Sequence, residues 1–581
     1  MMPVASPSIA KGRIYGPCRP NLGVPRGKQF PCRKVRGIAT KLDALGPART
    51  ARHDRAGIGA LLRKHIDAGE YEIAIELAKS KPGRSQNREV TLLLGRALAL
   101  SGRCSEAITI LDRVVDEAAR ADDSESAARA LDLLWWIGWI ELDGERTRAV
   151  ATGMLKLSMP ATSPEAFAIF VLKATLAVQL GDAATAAEIL EEAEHDSRDA
   201  DIDSFANYLS VKADVLAALG RPAEALSYAR LAADIGAKRS DLFLRWRRLT
   251  YLAYSLHANG LLREAYEAYL RAEQAARDAS LTWEIGLTRA RAAWIALLLG
   301  RATVAHDLIV SCFDEPYEQG WMAVTRSFVG IFVGLSCEDE ALIARAADLR
   351  LLDKVLSSSD YYTIGPAVAA FHAYYLHIGR KTEANALLEL GISILPSPDC
   401  GWTLFPFIAR SGSDTAIRRA QELLAKYPRE HRVAESHRKF FAALLAARQG
   451  KRIESEQRAG EAQLLFDDFE CHLYAGRCLE LAGRLAEAHR RYNAMGAVGE
   501  ARRIAHARGR RGRPRRSYEA SRERREILRL LLQGLTSSSI ADRLGVSERT
   551  IKSRVSEIYD FEGVRNRAEL LARHKQSPTS G

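Results

Sequence analysis

The sequence predicts an all-α protein with two parts: a long α-solenoid of helical hairpins and, after it, a small module of short helices. The first observation is internal repetition, because a Gly followed five residues later by an Ala recurs at intervals near forty residues. The second is the last tenth of the chain, where short amphipathic segments alternate with helix-capping residues. We therefore expect helical repeats over 55–505 and a compact helical module over 519–575.

The chain begins with a basic segment, 1–54, in which no core is expected. Residues 1–42 hold nine Lys or Arg and no acidic residue, and Pro and Gly interrupt the stretch throughout. It lacks the Ser-rich amphipathic helix of an organelle transit peptide. We predict that 1–54 is disordered, and the sequence leaves open whether it belongs to the native product.

The helical array is predicted from its recurring Gly and Ala. In each copy the Gly would end one helix, and the small Ala would let the next helix approach closely. The copies are Gly102 and Ala107, Gly144 and Ala149, Gly220 and Ala225, Gly260 and Ala265, and Gly300 and Ala305, and Gly181, Gly379 and Gly483 repeat the pattern. The pattern resembles tetratricopeptide repeats, with a longer period than their usual span of about 34 residues. No clean copy occurs near residues 340 and 412.

Two clusters of aromatic residues bear on what the array does. Stacked hairpins offer a long concave face, so we expect the array to hold a small-molecule or protein effector. One cluster is Trp135, Trp136 and Trp139, and the other is Tyr361, Tyr362, Phe371, Tyr374 and Tyr375. Either cluster could line an effector pocket. Aromatic residues at helical spacing beside Ala and Leu are more typical of a hairpin core, and that interpretation is favoured.

A basic linker is predicted over 506–518, between the array and the terminal module. Residues 508–516 are all Arg or Gly apart from Pro514, and this segment is too charged and too rich in Gly and Pro to fold alone. The run Arg511-Gly512-Arg513-Pro514 resembles an AT-hook, in which Arg side chains extend along a narrow minor groove. A solvated linker is favoured over groove insertion. The candidates for minor-groove or phosphate contacts are Arg511, Arg513, Arg515 and Arg516.

The terminal module has the spacing of helix-capping and helix-ending residues that is expected of a helix-turn-helix. An apolar helix over 526–533 stops at Gly534, which suits a left-handed cap. Thr536 can N-cap a second helix that Gly545 ends, and Ser547 can cap a third helix that runs toward Tyr559. The module would be followed by a disordered tail, 576–581.

The third helix divides into two faces. Ile551, Val555 and Ile558 lie at helical spacing and predict a buried stripe. The opposite face carries cationic and small hydroxyl side chains, which are suited to base edges and phosphates in a DNA major groove. The candidate DNA-binding residues are Arg549, Thr550, Lys552, Ser553, Arg554 and Ser556. We expect the cations to contact phosphates or guanine edges, the serines to make short contacts and Thr550 to make a positioning bond.

These residues resemble the LuxR-type regulators. The matching segments are Glu526-Ile527-Leu528, Gly534-Leu535-Thr536, Ile540-Ala541-Asp542-Arg543-Leu544, Ser547-Glu548-Arg549-Thr550-Ile551-Lys552 and Gly563-Val564-Arg565-Asn566-Arg567. The resemblance implies DNA contacts at Thr550, Lys552, Ser553 and Ser556, and a homodimer paired through a helix from about Arg567 to Arg573. Larger regulators that resemble the maltose-operon activator add an ATPase, but this sequence has no G-x-x-x-x-G-K-[ST] phosphate loop.

The sequence departs from the LuxR pattern at the end of the third helix. Phe561-Glu562 stands where Lys-Leu is usual, which would place a carboxylate on the apolar stripe. Either the helix ends before Glu562, or Arg567 pairs with that carboxylate. A scaffold protein whose helix-turn-helix has lost DNA binding is therefore the alternative to a regulator.

Charge and composition narrow the function further. The net charge is +12, and segments 1–42, 501–516 and 517–581 carry +9, +8 and +3, which leaves −8 for the remainder. The positive field is thus concentrated at the two ends, which favours double-stranded DNA as a partner of the C-terminal end. Eight Cys without a C-x-x-C pair indicate reduced thiols in a cytosol, and the resemblance to LuxR-type regulators implies a cytoplasmic protein of bacterial type. We expect no membrane segment, catalysis, metal or cofactor, because the sequence lacks their motifs.

Overall fold

The structure is a computed structural model, and it describes residues 57–80, 88–156, 164–179, 182–194, 202–314, 320–358, 361–395, 403–428, 431–512, 526–562, 564 and 566–575. The predicted disordered segments 1–54 and 576–581 lie outside these ranges. Within them the chain is all-α, without strands, which confirms the predicted fold class.

The array consists of antiparallel helices joined by short turns. Its first helices are Ile58–Asp67, Tyr71–Lys79, Arg88–Leu100, Cys104–Arg120, Ser124–Glu141, Gly144–Lys156, Pro164–Gln179, Ala183–Glu194, Ile202–Ala218 and Pro222–Gly236. They are followed by Leu242–Ala258, Leu262–Asp278, Thr282–Leu298, Ala302–Phe313, Gly320–Cys337, Glu340–Ala346, Leu349–Ser357, Tyr361–His377 and Lys381–Ile394. The last are Phe405–Ser411, Asp414–Ala425, Arg432–Arg448, Arg452–Asp468, His472–Leu481, Leu485–Met495 and Val498–Gly512.

Most predicted Gly turns are present and share one geometry. At Gly102 the φ angle is 82°, and the amide of Arg103 donates to the carbonyl of Leu98 at 2.8 Å, as in a Schellman cap. The same arrangement occurs at Gly220, Gly260, Gly300, Gly379 and Gly483, and also at Gly69 and Gly450, which the pattern did not single out. The residue five positions after the predicted Gly is buried at Ala107, Ala225, Ala265, Ala305, Ala384 and Ala488. Gly181 lies outside the described residues.

The predicted copy at Gly144 and Ala149 is wrong. The left-handed turn residue is Leu142, with φ at 56°, and Gly144 begins the next helix. Thr147, five residues after Leu142, is therefore the buried residue, and Ala149 is exposed. Gly144 has a different role, because a Cβ built on it would lie 2.4 Å from the carbonyl oxygen of Ser357.

Four of these turns also carry an ion pair that the sequence pattern did not reveal. The residue after the Gly is often Arg, and it binds the Glu that precedes the buried Ala. The pairs are Arg103 with Glu106, Arg221 with Glu224, Arg380 with Glu383 and Arg484 with Glu487. Because these side chains are largely exposed, each pair contributes little to stability.

The array coils so that segments about 200 residues apart touch. The guanidinium of Arg263 binds the carboxylate of Glu470 at 2.5 Å. A Cβ built on Gly69 would lie 2.8 Å from the carbonyl oxygen of Ala279, and one on Gly320 would lie 2.0 Å from that of Ile140. We call these the inter-turn contacts, because they join one turn of the superhelix to the next.

One helix among the described residues, Gly320–Cys337, is long and apolar enough to cross a membrane. Most of its side chains are buried inside the array, and it packs against Ser124–Glu141 and Val498–Gly512. This helix is therefore at the centre of the protein core, where apolar composition is expected.

The two aromatic clusters have different surroundings. Trp135 and Trp136 are buried and Trp139 is half-buried, and all three also line a cavity. In the second cluster Phe371 is buried, and the half-buried Tyr374 and Tyr375 pack against the main core, as favoured from the sequence. The side chains of Tyr361 and Tyr362 lie outside the described part. The tryptophan cluster is thus both core and cavity wall.

The last helix of the array overlaps the predicted linker. Val498–Gly512 includes 506–512, so this part is helical rather than irregular. Buried Ala501 and Ile504 anchor the helix upstream, and adding Arg residues to an established helix is inexpensive. The side chain of Arg511, together with Arg513, Arg515 and Arg516, lies outside the described residues.

Candidate nucleic-acid interface

The first helix of the terminal module covers 526–532 among the described residues. It contributes buried Ile527, Leu530 and Leu531 to a small separate core. The chain leaves it at Gly534, where φ is 94° and the amide of Leu535 donates to the carbonyl of Leu530 at 3.2 Å. The predicted Gly stop is therefore confirmed.

The second helix is Ser537–Leu544, and its predicted caps are also confirmed. The Thr536 hydroxyl accepts the amide of Ser539 at 3.2 Å, which satisfies one of the free donors at the helix start. Gly545 ends the helix in the left-handed region, with φ at 65°. Two short helices consequently meet across a tight Gly turn.

The third helix is Glu548–Glu562, and Ser547 caps it. The Ser547 hydroxyl accepts the amide of Thr550 at 3.1 Å and also bonds the Thr550 hydroxyl at 2.7 Å. Ile551, Val555 and Ile558 are buried against the other helices, as the apolar stripe predicted. This packing fixes the rotation of the helix about its axis.

The opposite face of the third helix is open to solvent. Arg549, Lys552, Ser553 and Ser556 are exposed, whereas Thr550 and Arg554 are half-buried. The exposed four occupy positions i, i+3, i+4 and i+7, and therefore form one stripe about 10 Å long. A stripe of this length and chemistry matches the part of a helix that enters a major groove. We call it the exposed stripe.

Two candidates are engaged within the helix. The ammonium group of Lys552 lies 3.0 Å from the carboxylate of Glu548, one turn earlier, while its side chain stays 67% exposed. An exposed pair of this kind is weak, so a phosphate can displace Glu548 at little cost. The hydroxyl of Thr550 is held by Ser547, which leaves its methyl group and backbone to position the helix.

The fourth helix is Arg567–Lys575, at the predicted position. Leu570 is fully buried, while Ala568, Glu569 and Ala572 are exposed. Asn566 caps the helix by accepting the amide of Glu569 at 3.0 Å. Ala568 and Ala572 therefore lie on the solvent-facing side of this helix.

The alternatives at Phe561-Glu562 are partly resolved. The third helix continues to Glu562, so it does not end early. The guanidinium of Arg567 donates to the carbonyl of Leu531 at 2.9 Å, which ties the fourth helix to the first. The side chain of Glu562 lies outside the described residues.

Two structural residues of the module were missed from the sequence. Nothing in the local pattern indicates that Arg567 would reach the first helix, because the two are far apart in the chain. The cap at Asn566 had a signal, since Asn followed three residues later by Glu is a common start of a helix.

Removal of the Ser547 cap gives a direct test of the third helix. Ser547→Ala should cost the terminal module about 1 kcal/mol, because the amide of Thr550 loses its acceptor. Hydrogen exchange of the amides of the third helix, measured by mass spectrometry on the full chain, should accelerate accordingly. Ser538→Ala, at an exposed position inside the second helix, is the control. Equal exchange in the two variants would contradict the cap.

Two helices across a Gly turn, a third helix with an open polar stripe and a small separate core together define a helix-turn-helix domain. Residues 520–573 match the family model described as "Bacterial regulatory proteins, luxR family". The terminal module is therefore a LuxR-type helix-turn-helix domain, as its motifs predicted.

Comparison of the whole chain with curated protein sequences finds no match. Among solved structures, a Rap protein complexed with competence and sporulation factor is 12% identical, covers 74% of this chain and 98% of its own, and has a TM-score of 0.32. The APC/C hetero-tetramer Cut9-Hcn1 is 10% identical, covers 77% of this chain and 95% of its own, and has a TM-score of 0.31. TM-scores this low do not define a shared arrangement.

Proposed function

We propose that the chain is a cytoplasmic transcription regulator of bacterial type, in which the helical array senses an effector and controls the LuxR-type domain. The observation that carries this proposal is the division of the third helix. Buried Ile551 and Val555 hold it against the domain, while Lys552 and Ser553 face solvent. A helix that only completed a core would not need an open stripe of cations and hydroxyls.

The surrounding charge supports binding to duplex DNA. Segment 501–516 holds eight Arg and no acidic residue, directly before the domain, and two of these, Arg502 and Arg503, pair with carboxylates of the array. Such a segment releases counterions when it approaches phosphates, whether or not Arg511 and Arg513 enter a minor groove. We propose that Arg549, Lys552 and Arg554 supply charge at the groove, with Ser553 and Ser556 close to the bases.

The domain would act as a homodimer. The exposed face of Arg567–Lys575, with Ala568 and Ala572 one turn apart, suits close packing of two copies. A dimer places two third helices on half-sites about one helical turn apart on the DNA. No catalysis is required of either part.

Replacement of Lys552 tests the proposed DNA contact. Lys552→Ala should weaken duplex binding by about 1 to 3 kcal/mol if the side chain reads a base. If it contacts only a phosphate, binding should weaken equally for all DNA sequences. The slope of log affinity against log salt concentration should then decrease in magnitude by about one. Gel-shift titrations would use the full chain and duplexes that it selects from a random library.

The matched variants are Glu548→Gln and Arg529→Ala. Glu548→Gln frees Lys552 from its intrahelical partner and should leave binding equal or tighter. Arg529 pairs with Glu526 on the exposed side of the first helix, so its loss should have little effect. Unchanged binding by Lys552→Ala would defeat the assignment.

A scaffold protein with a degenerate helix-turn-helix is the alternative, favoured only by Phe561-Glu562. The full chain distinguishes the two functions in a salt titration with duplex DNA. Affinity that falls steeply with salt supports the regulator. Absence of duplex binding at low salt supports the scaffold.

A further inference from the structure

A cavity lies inside the array where five helices meet. Its first chamber has a volume of about 700 Å³, which includes space open to solvent, and is lined by Trp135, Trp136, Trp139, Trp246 and Trp321 together with Arg247 and Arg291. We call it the tryptophan chamber. A second chamber of about 1150 Å³ shares Tyr254 and Arg291 with the first. Both chambers are lined mainly by apolar and aromatic side chains with a few polar groups, as is usual for sites that bind small organic ligands.

The two arginines of the tryptophan chamber have no carboxylate partner within 4 Å, as far as the described residues show. Other inward arginines are paired: Arg248 lies 3.3 Å from Asp203, and Arg289 lies 3.0 Å from Glu273. Arg291 instead lies over the ring of Trp321, with 4.3 Å between its guanidinium carbon and the ring centroid. Arg247 contacts the ring of Tyr251, with 5.8 Å between its guanidinium carbon and the ring centroid, and interacts at longer range with Asp132 and Asp214. A partly buried cation without a carboxylate in direct contact attracts an anion.

The wall of the chamber is also rich in unused hydrogen-bond donors. The indole N–H groups of Trp135, Trp139, Trp246 and Trp321 are buried and have no partner in the described structure. An unpaired buried donor destabilises the protein, because it has lost its hydrogen bonds to water. Four such donors around one space favour a guest that supplies acceptor atoms. Small rotations of the rings would bring the indole N–H groups within hydrogen-bond distance of those atoms.

Among the described residues, the acidic groups near the two arginines act at longer range than a direct ion pair, Asp132 and Asp214 on Arg247 and Glu284 on both. Glu284 lies two turns before Arg291 on the same helix, and it is fully buried with both carboxylate oxygens unpaired. Burial raises the pKa of Glu284 well above its usual value, which favours its uncharged form. Burial also raises the pKa of Asp132. Asp214 lines the chamber but already has a partner in the protein.

The histidines of the second chamber add no charge at neutral pH. Burial, with a smaller effect of Arg291, lowers the pKa of His257 to about 4. Burial lowers the pKa of His437 to about 3. The positive charge that faces the shared space is therefore that of Arg247 and Arg291.

We propose that the tryptophan chamber binds a small planar aromatic carboxylate, with its ring among the indoles and its carboxylate on Arg247 and Arg291. This inference rests on the proposed sensing function of the array and names the chemical class of effector. The lining residues Trp135 and Trp139 lie on Ser124–Glu141, and Trp321 lies on Gly320–Cys337. These two helices meet at the inter-turn contact between Gly320 and Ile140, so one guest would contact both turns of the superhelix. Binding would thereby alter how the two turns pack.

The test uses 2-naphthoate as the probe and 2-naphthamide as its neutral analogue. Quenching of tryptophan fluorescence in the full chain reports occupancy. The wild-type chain should bind the acid at least about tenfold more tightly than the amide, since a hydrogen bond to a charged group is strong. Equal affinity for acid and amide would overturn the inference.

Three variants test whether the arginines of the chamber bind the carboxylate of the probe. Arg291→Gln should weaken binding of the acid about tenfold or more and leave the amide unchanged, and Arg247→Gln should do the same. Arg271→Gln, at an exposed position on the neighbouring helix, should bind both probes like the wild type. An equal loss for acid and amide would show a packing role and refute the proposed ion pair. Urea unfolding of each variant identifies misfolding, and the two arginines serve as independent checks.

The same samples separate this inference from the proposed function. Duplex binding with no selective binding of the acid would refute the inference alone. Selective binding of the acid without duplex binding would refute the regulator alone. If both hold, 2-naphthoate should change the affinity for duplex DNA in the wild type and not in Arg291→Gln.

Discussion

Ile551→Asp is expected to unfold the LuxR-type domain and abolish DNA binding, while the helical array stays folded. Ile551 is fully buried at the centre of the small core. Burying an unpaired carboxylate there costs several kcal/mol. A core as small as that of this domain supplies only about 3 to 5 kcal/mol of stability, so one such change is sufficient.

The measurement is hydrogen exchange by mass spectrometry on the full chain, with duplex binding measured in parallel. Amides of 526–575 should lose protection, and those of 242–298 should keep it. Ser553→Asp is the matched control, because it places the same side chain on the exposed stripe two residues away. It should weaken DNA binding by charge repulsion and leave protection intact. Retained protection in Ile551→Asp would mean that the stripe does not face inward.

Gly320→Ala should cause the largest loss of stability among single changes in the array turns. Its φ angle is 69°, a conformation that costs an Ala about 1 to 2 kcal/mol. The new Cβ would also lie 2.0 Å from the carbonyl oxygen of Ile140, on the neighbouring turn of the superhelix. Relief of this clash requires the two turns to separate, at an additional cost of about 1 to 3 kcal/mol.

Gly450→Ala isolates the contribution of the inter-turn contact. Gly450 has a similar φ of 76°, but a Cβ there would meet no atom within 4 Å. It should therefore show only the backbone cost. The free energy of unfolding of both variants would be measured in urea, with the full chain. If the two variants lost equal free energy of unfolding, the clash with Ile140 at the inter-turn contact would contribute nothing to the effect of Gly320→Ala.

The helix ends were predictable from the sequence because caps are local. Thr536 and Ser547 bind amides three residues away, and Gly534 and Gly545 adopt conformations that other residues avoid. The buried stripe of the third helix followed from spacing alone. Contacts of the exposed stripe with DNA remain a prediction, since they depend on a partner.

The turn at Leu142 shows where local signals fail. Leu rarely adopts the left-handed conformation, so the nearby Gly144 was taken for the turn residue. The left-handed conformation of Leu142 is strained, but its side chain is buried in the main core. Burial of a large apolar side chain is worth about 1.5 to 3 kcal/mol and offsets the backbone cost.

The inter-turn contacts could not be predicted, because they depend on small rotations that accumulate over many hairpins. Arg263 and Glu470 are both ordinary exposed residues in sequence, and nothing local indicates that they meet. The cavity follows from the same coiling. Tryptophans predicted as core residues therefore also became the wall of a chamber.

Synthesis on the ribosome gives the coiling a temporal consequence. Gly69 packs against Ala279, and Gly220 packs against Lys426, so the first coil is completed only when a segment roughly 200 positions downstream has emerged. At about 5 to 20 residues per second, the packing surface of the nascent first coil stays exposed for about 10 to 40 s before that downstream segment is synthesised. During that interval its apolar seams are open to chaperones and to other nascent chains, and slowing translation would lengthen the exposure.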